Sequence, residues 1–279
     1  MSKLLSTSEF AEAIGVSESS IRRLADSGDI SIHRTKGGHR KIPVEEAIRY
    51  VRQNGIQPAQ PALLGVSLTE EADLPDNFFE ALVDGDSDRA VQILQTLYIR
   101  GSNASSIFDG PVHEAMVKIG EKFPDDRRSI FVEHRATIIC LRSLMQLRSI
   151  MPSLKQSSKK SICAAPPGDP YLLPSLMCSI VLYEIGFVEG NLGPNTPLDI
   201  VIDAVEDESP SLICLSITSA IRSKSQILEL EKLNSAALER GCRLVIGGQN
   251  SDLVDLPQIQ RIRSLKDLEE IGTSIIKYQ

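Results

Sequence analysis

The chain of 279 residues contains no apolar run that approaches the ~20 residues needed to span a bilayer, which argues against a membrane protein. Its N-terminus lacks a basic segment followed by an apolar core, so we expect no signal peptide and a cytoplasmic location. Cysteine pairs of the CxxC type are also absent. The five cysteines stand far apart among apolar neighbours, which favours buried thiols in a reducing compartment over metal ligands: Cys140, Cys163, Cys178, Cys214 and Cys242.

Motifs for nucleotide cofactors and for catalysis are missing as well. No GxGxxG follows the first strand of the C-terminal part and there is no P-loop, so a dinucleotide is not expected. The last histidine is His134, and the sequence shows neither a catalytic triad nor a pair of carboxylates at a recognisable catalytic spacing. We therefore expect a protein that is not an enzyme.

The formal net charge of −7 is distributed unevenly along the chain. Residues 1–54 contain nine Lys and Arg against seven Asp and Glu, which leaves the acidic excess to the rest of the chain. Residues 34–41 hold four basic side chains and one histidine without any acid. A small basic segment on an acidic body is consistent with DNA binding confined to the N-terminal end.

Two short helices are predicted near the N-terminus. Ser6 and Glu9 have the spacing of a capping box that opens the first helix, and Gly15 ends it. Ser17 caps the second helix, in which Ile21 begins the inward face. Because only a two-residue turn separates the helices, the spacing is typical of a helix-turn-helix, whose second helix enters the major groove.

A hairpin, or wing, is predicted directly after the second helix. Gly37 and Gly38 provide its turn, and Pro43 begins a third helix. The arginines of the second helix are candidates for reading or anchoring in the major groove, and the cations of the hairpin are candidates for phosphate contacts. The full set of candidate DNA contacts is Ser19, Ser20, Arg22, Arg23, Arg34, Lys36, His39, Arg40 and Lys41.

These residues carry a resemblance to a known family. The pattern SxxExAxxxGVSxxxIRRLxxxG followed by RTxGGHRKI, in residues 6–42, resembles the MerR/excisionase family of winged helix-turn-helix proteins. The resemblance implies dimeric binding to inverted repeats in double-stranded DNA that is bent or distorted.

A linker and a helical domain are predicted next. Residues 55–75 contain three prolines and no periodicity, so we interpret them as a linker after the domain of residues 1–54. Residues 76–152 contain four helical patterns with short loops, which predicts a four-helix bundle: Asn77–Val83, Ser87–Arg100, Ser105–Phe123 and Ile130–Met151. The expected inward residues are Ala90, Ile93, Leu94 and Leu97 in the second helix, and Ile138, Leu141, Leu144, Met145 and Leu147 in the last.

Strands and helices alternate through residues 160–279. This alternation predicts a parallel sheet that is covered by helices on both faces. We expect a doubly wound, Rossmann-like domain with flavodoxin-like strand order, and for the whole chain a multidomain α plus α/β fold class. Such sheets bind ligands at the carboxyl ends of their strands. Those ends are small or polar here: Pro166–Tyr171, Gly193–Thr196, Ser216–Ser219 and Gly247–Asn250.

A helical bundle followed by this α/β domain resembles the cobalamin-binding module of methionine synthase and its relatives. With the MerR-type reader in front, the architecture resembles the cobalamin-dependent photoreceptor repressors of the CarH type. Phe123, nine intervening residues and Glu133-His134 resemble the Trp-x9-Glu-His signature of the cap over the corrin. The other cofactor contacts implied by the resemblance are Asp169, Tyr171, Gly193, Asn195, Thr196, Ser216, Thr218, Gly247 and Gly248.

The segment that holds the lower cobalt ligand departs from the family pattern Asp-x-His-x-x-Gly. Asp169 is present, but Tyr171 stands in place of the histidine and Pro174 in place of the glycine. A neutral phenol is a poorer cobalt ligand than imidazole, since tyrosine would have to lose a proton with a pKa of ~10. The cap tryptophan is replaced by Phe123, which loses the indole donor.

Three interpretations of the C-terminal module therefore stay open. In the first, adenosylcobalamin or another corrinoid binds without a lower histidine, and His134 approaches cobalt from above. In the second, the fold senses haem, with His134 as a candidate iron ligand, or another small molecule, or a partner protein. In the third, the module holds no cofactor and serves only for homo-oligomerisation.

The function expected from the sequence is that of a transcriptional regulator. A ligand, light or a partner would change the packing of the C-terminal module and so the operator affinity of paired winged helices. The rival class is a corrinoid-binding methyl-transfer carrier or enzyme.

Overall fold

The computed structural model describes residues 3–65, 74–122, 127–151, 158–221, 223–254 and 256–277. The chain folds as two compact units. The first comprises residues 1–103 and 110–152, and the second comprises residues 104–109 and 153–279. Within the described ranges, no helix has both the length and the apolar character required for crossing a membrane.

The N-terminal part of the first unit is a winged helix-turn-helix. Its elements are β1 (Leu4–Ser6), α1 (Thr7–Ile14), α2 (Glu18–Ser27), β2 (His33–Arg34), β3 (Arg40–Pro43) and α3 (Val44–Gln53), with strand order β1-β3-β2. The predicted capping box is present, since Ser6 accepts from the Glu9 N–H and Glu9 accepts from the Ser6 N–H. Gly15 ends α1 with φ 72°, and Ser17 caps α2. β1 was not predicted, and it completes the sheet by pairing with β3.

Part of the predicted linker packs on the winged helix. Pro61–Leu64 forms a short 3-10 helix in which Leu64 is buried, and the Gln60 N–H donates to the Ala13 carbonyl oxygen at 3.0 Å. Contacts to α1 therefore continue into the 3-10 helix at Pro61–Leu64. Residues 66–73 of the expected linker lie outside the described residues.

The bundle contains α4 (Leu74–Asp84), α5 (Ser87–Ile99), α7 (His113–Lys122) and α8 (Arg127–Ile150), and α6 (Ala104–Ile107) lies between α5 and α7 in the chain. The prediction of one continuous helix at Ser105–Phe123 is wrong. A π-helical turn at Phe108–Val112 interrupts it, because Gly110 has non-helical angles (φ −94°, ψ −106°) and Pro111 has no N–H to donate. The segment Ala104–Asp109 belongs to the second unit.

The inward stripe of α8 differs from the prediction. Leu144 and Leu147 are fully buried as expected, but Ile138 and Met145 are 64% and 58% exposed. The buried face instead includes Ile139. The sequence of α8 is apolar around much of its circumference, so periodicity alone did not identify which side faces the core. In α5 the expected stripe of Ala90, Ile93, Leu94 and Leu97 is buried.

The second unit is the predicted doubly wound sheet. It contains β4 (Lys160–Ala164), α9 (Leu172–Glu184), β5 (Val188–Gly193), α10 (Leu198–Glu208), β6 (Leu212–Ser216), α11 (Lys224–Glu239), β7 (Arg243–Gly247), β8 (Gln260–Arg261) and α12 (Leu265–Lys277). All strand pairs are parallel, and the order β5-β4-β6-β7-β8 is the flavodoxin-like order. The order in which successive strands are added to the sheet reverses between β4 and β6, and ligands bind at such switch points.

Both faces of this sheet are covered by helices. On one face, Ile162, Ile213 and Leu244 pack with residues of α10 and α11. On the other face, Cys163, Cys214 and Val245 pack with residues of α9 and α12. The segment Ala104–Asp109 also joins this unit, because the Asp109 carboxylate accepts from the N–H groups of Leu265 and Lys266 at the start of α12.

Candidate nucleic-acid interface and candidate ligand cleft

The outward face of α2 carries the residues expected to enter a groove. Ile21 and Ala25 are buried, and successive residues of a helix turn by about 100°. Ser19, Arg23 and Asp26 therefore lie on the side opposite the core. Arg23 is exposed and makes no hydrogen bond or ion pair among the residues that the structure describes. It is the most available cation on this helix.

Other predicted contacts on α2 are already engaged inside the helix. Arg22 donates from Nη2 to Glu18 Oε1 at 2.8 Å. The Ser17 hydroxyl lies 2.8 Å from Ser19 Oγ and 2.9 Å from Ser20 Oγ, while it also caps the helix. These serines form a polar N-terminus on α2, a type of position that favours anions such as phosphate.

The wing presents exposed cations on a tight turn. Gly38 adopts φ 77°, and its N–H donates to the Thr35 carbonyl oxygen at 2.9 Å. The Thr35 N–H donates to the His39 carbonyl oxygen at 3.0 Å, which closes the loop. Lys36 and His39 are exposed at its tip. The predicted hairpin is confirmed, and Lys36 at its tip faces solvent.

Arg40 and Arg34 share an acidic partner that was not among the candidate residues. Arg40 Nη2 donates to Asp26 Oδ1 at 2.7 Å and to Oδ2 at 2.9 Å, and Arg34 Nη2 lies 3.6 Å from Asp26 Oδ1. Lys41 is half-buried. Hydrogen bonds from Ser6 lower the pKa of Glu9, and the charge of Lys41 adds to this effect. The sequence marks the cations by their charge, but it does not mark Asp26 as their partner, since no spacing rule links residues 26 and 40.

The candidate cap residues lie on α8. Glu133 and His134 are both exposed, and their neighbours Phe131 and Ile138 are 60% and 64% exposed. Phe123 lies outside the described residues. The first unit thus presents an apolar strip along α8 that includes His134, whereas Glu133 lies on a different side of the helix.

A buried carboxylate organises the carboxyl edge of the sheet in the second unit. Asp169 follows β4 and is 1% exposed. Its Oδ1 accepts from the Tyr171 N–H at 3.2 Å, and its Oδ2 accepts from the N–H groups of Thr218 and Ser219 at 2.5 and 2.9 Å. These hydrogen bonds tie the loop after β4 to the loop after β6, at the point where the strand order reverses.

The loop after β5 is tied to the same place. Asn195 adopts φ 52°, its N–H donates to the Asp169 carbonyl oxygen at 2.9 Å, and its Oδ1 accepts from the Gly168 N–H at 3.0 Å. Thr196 is buried, and its Oγ1 donates to the Gly193 carbonyl oxygen at 3.0 Å. The structure therefore brings the predicted residues of these two loops together.

The end of β7 completes the edge. A Cβ atom on Gly248, which has φ 102°, would lie 2.7 Å from the Ile217 carbonyl oxygen, so only glycine fits there. A Cβ atom on Gly247 would lie 2.8 Å from Ile262. Ser216 is buried at the end of β6, next to this contact. The glycines are thus explained by close approach of the protein's own backbone and side chains.

The residues of this edge do not fit a corrinoid held by a lower nitrogen ligand. Tyr171 is 53% exposed and stands at the N-cap position of α9, where its side chain makes no capping hydrogen bond. Both Asp169 oxygens are occupied by backbone N–H groups, and no histidine follows His134 in the sequence. Among the described residues, no group of three His, Cys, Asp or Glu is placed to hold a metal ion. Burial raises the pKa of the Cys140 and Cys242 thiols to about 12, so both stay protonated.

Comparison with protein families identifies two parts of the chain. A model described as a helix-turn-helix domain matches residues 4–55, and a model described as a B12 binding domain matches residues 74–148. The comparison with curated proteins gives no match.

One solved structure supports the fold, and two others also match the chain. The monomethylamine corrinoid protein of Methanosarcina barkeri is similar with a TM-score of 0.59 at 13% identity, over 74% of this chain and all of that chain. The methanol:cobalamin methyltransferase complex of the same organism matches at 17% identity and a TM-score of 0.37, over 76% of this chain and 83% of that chain. A cobalamin-binding protein of Desulfitobacterium hafniense matches at the same identity and TM-score, over 72% of this chain and 98% of that chain.

Proposed function

We propose that this chain, which joins an N-terminal helix-turn-helix domain to a B12 binding domain, is a DNA-binding transcriptional regulator of the MerR type. The observation that carries the proposal is the pair of exposed cations Arg23 on α2 and Lys36 on the wing. They lie on the two elements with which a winged helix contacts a groove and the neighbouring backbone. The excess of acidic residues elsewhere in the chain confines this property to one end.

The second part of the proposal is that the B12-type module regulates DNA binding. A ligand, light or a partner protein that binds one packing of the module better than another would shift its population and, through it, operator affinity. The exposed apolar strip of α8 supports this proposal, because a ligand or a partner that covered the strip would change its surroundings. The absence of a lower histidine favours a signal other than a corrinoid held from below.

We also propose that the protein acts as a homodimer or a larger homo-oligomer on an inverted repeat. A single winged helix buries a small area on DNA, and two copies are the usual route to tight and selective binding. Paired half-sites about one helical turn apart would match this symmetry.

A corrinoid carrier in methyl transfer is the second candidate function. It is favoured by one observation, the fold shared with the monomethylamine corrinoid protein. Tyr171 argues against it, because that position would supply the cobalt ligand, and so does the helix-turn-helix domain. The regulator is the better supported function.

The test uses the full-length protein and duplex DNA. Selection from a random duplex library, together with gel shifts on the region upstream of its own gene, identifies a bound sequence. Fluorescence anisotropy at several salt concentrations then compares wild type with Arg23→Ala and Lys36→Ala. Each variant should bind more weakly, and the slope of log K against log salt should fall by about 0.9 for each phosphate that the variant no longer neutralises.

The matched control is Lys232→Ala, which removes an exposed cation from α11 in the second unit. It should leave both affinity and slope unchanged. A wild-type protein that selects and retards no DNA overturns the regulator, and methylation of a corrinoid bound to that protein would establish the carrier instead.

A further inference from the structure

Asp26 lies on the DNA-facing side of α2 and joins that helix to the wing. We propose that Asp26 and Arg40 are positioning residues that set the wing relative to α2, and that Arg40 does not contact phosphate. The inference rests on the proposed DNA-binding function. It reassigns Arg40, whose charge alone suggested a phosphate contact.

The geometry of the pair is that of a guanidinium held in a fixed orientation. Arg40 donates from Nη2 to both Asp26 oxygens, at 2.7 and 2.9 Å, and from Nε to Oδ1 at 3.2 Å. Its side chain is 26% exposed, whereas that of Arg34 is 59% exposed. Several parallel N–H donors on one carboxylate fix the plane of the guanidinium as well as its distance. A phosphate that took the same N–H groups of Arg40 would have to displace these hydrogen bonds.

The position of Asp26 is electrostatically unfavourable for a DNA-binding surface. It shares the outward side of α2 with Ser19 and Arg23, and its side chain is 50% exposed. A carboxylate near phosphates weakens binding unless it makes a compensating contact. The ion pair with Arg40 is that contact, since it neutralises the carboxylate and connects two elements that must engage DNA together.

The wing depends on this connection because its own strands are short. β2 contributes two residues, and its register pairs His33 with Lys41 and Arg34 with Arg40. Arg40 therefore stands at the last pair before the loop that carries Lys36 and His39. Holding Arg40 to α2 sets the distance between the residues for the groove and the cations at the wing tip.

A double-mutant cycle on DNA binding tests the inference with the full chain. Asp26→Ala, Arg40→Ala and the double variant should each bind the selected DNA about tenfold more weakly, and the double variant should be no worse than either single one. The slope of log K against log salt should stay at the wild-type value, since the same phosphates are neutralised. Asp26→Asn, which keeps the side chain's size but not its charge, should lie between wild type and Asp26→Ala.

Two comparators separate the alternatives. Lys36→Ala should lower the salt slope, and Glu12→Ala, which removes an exposed acid from α1, should leave the affinity unchanged or raise it slightly. Thermal unfolding of every variant shows whether the domain is folded. If Arg40→Ala does not fold, Arg40→Lys takes its place in the test, because lysine retains the positive charge. Because lysine lacks the planar fork, it should still bind DNA more weakly than wild type.

A tighter complex from Asp26→Ala, or a slope that falls by about 0.9 in Arg40→Ala, overturns the positioning role and makes Arg40 a phosphate contact. Such a result leaves the proposed regulator standing, because wild type would still bind. If wild type itself binds no DNA, both the function and this inference fail.

Discussion

The guanidinium carbon of Arg52 lies 4.2 Å from the centre of the Tyr98 ring. Arg52 belongs to α3 of the winged helix, and Tyr98 is 1% exposed in α5 of the bundle. Helix α3 packs against α5 and α8 within the first unit. The winged helix and the helical bundle are therefore packed against each other within one unit.

Replacing Arg52 by alanine removes this cation–π pair. A partly desolvated pair of this kind contributes about 1–2 kcal/mol, so Arg52→Ala should lower the free energy of unfolding by a similar amount. Arg52→Lys should retain part of it, because lysine keeps the charge but not the planar guanidinium. Urea unfolding of the full chain measures both, with Arg240→Ala, an exposed residue after α11, as the control. Equal stability of Arg52→Ala and the control would contradict the prediction.

The buried carboxylate of Asp169 gives a second prediction. Asp169→Ala would leave the N–H groups of Tyr171, Thr218 and Ser219 without their acceptor, in a site that is 1% exposed. Each buried unsatisfied donor costs about 1–3 kcal/mol, so the variant should be at least that much less stable. Asp203→Ala on the exposed face of α10 is the matched control and should unfold like wild type. If Asp169→Ala were as stable as wild type, water would have to replace the carboxylate as the acceptor.

Tyr171→His tests why the carboxyl edge does not fit a corrinoid. Histidine at this position restores the nitrogen ligand of the family pattern that this sequence lacks, at a residue whose backbone N–H donates to Asp169 Oδ1. After incubation with adenosylcobalamin in the dark and desalting, Tyr171→His should retain more visible absorbance than wild type. Tyr171→Phe is the control, since it removes the hydroxyl without adding a ligand. If wild type retains as much pigment as Tyr171→His, then a lower histidine is not needed for binding.

The winged helix should lose stability in acid through two carboxylates. Hydrogen bonds from the Ser6 N–H and the Ser6 hydroxyl lower the pKa of Glu9 below its ordinary value of 4.5. Burial acts to raise the pKa of Glu46, but hydrogen bonds from Arg49 and the Ser31 N–H outweigh it, and the pKa is lowered. Both groups therefore stabilise the fold fully above pH 4.5, and this contribution disappears as the pH falls through their lowered pKa values.

Unfolding midpoints measured between about pH 3 and pH 7 check this prediction. Glu46→Gln should flatten the acid dependence, because the group no longer titrates, at the expense of stability near neutral pH. Glu45→Gln, at the neighbouring position of α3, is the control and should keep the acid dependence of wild type. An acid dependence that is unchanged in Glu46→Gln would show that other groups govern it.

Local signals in the sequence were sufficient for most elements. Ser6 with Glu9, Gly15 and Ser17 mark helix ends through hydrogen bonds between near neighbours, and these caps are present in the structure. The alternation of apolar strands and helices after residue 160 likewise predicted a parallel sheet, and the structure contains one. Both kinds of signal depend on residues a few positions apart, which the sequence displays directly.

The sequence by itself determined the winged helix, the bundle and the doubly wound sheet, because capping, periodicity and turn residues act locally. Tertiary structure alone decided which face of α8 is buried, where Ala104–Asp109 packs and which acid meets Arg40. These features join residues that are far apart in the chain, or choose between two faces of similar composition. Their energies come from burial and ion pairing in three dimensions, to which no spacing rule along one chain corresponds.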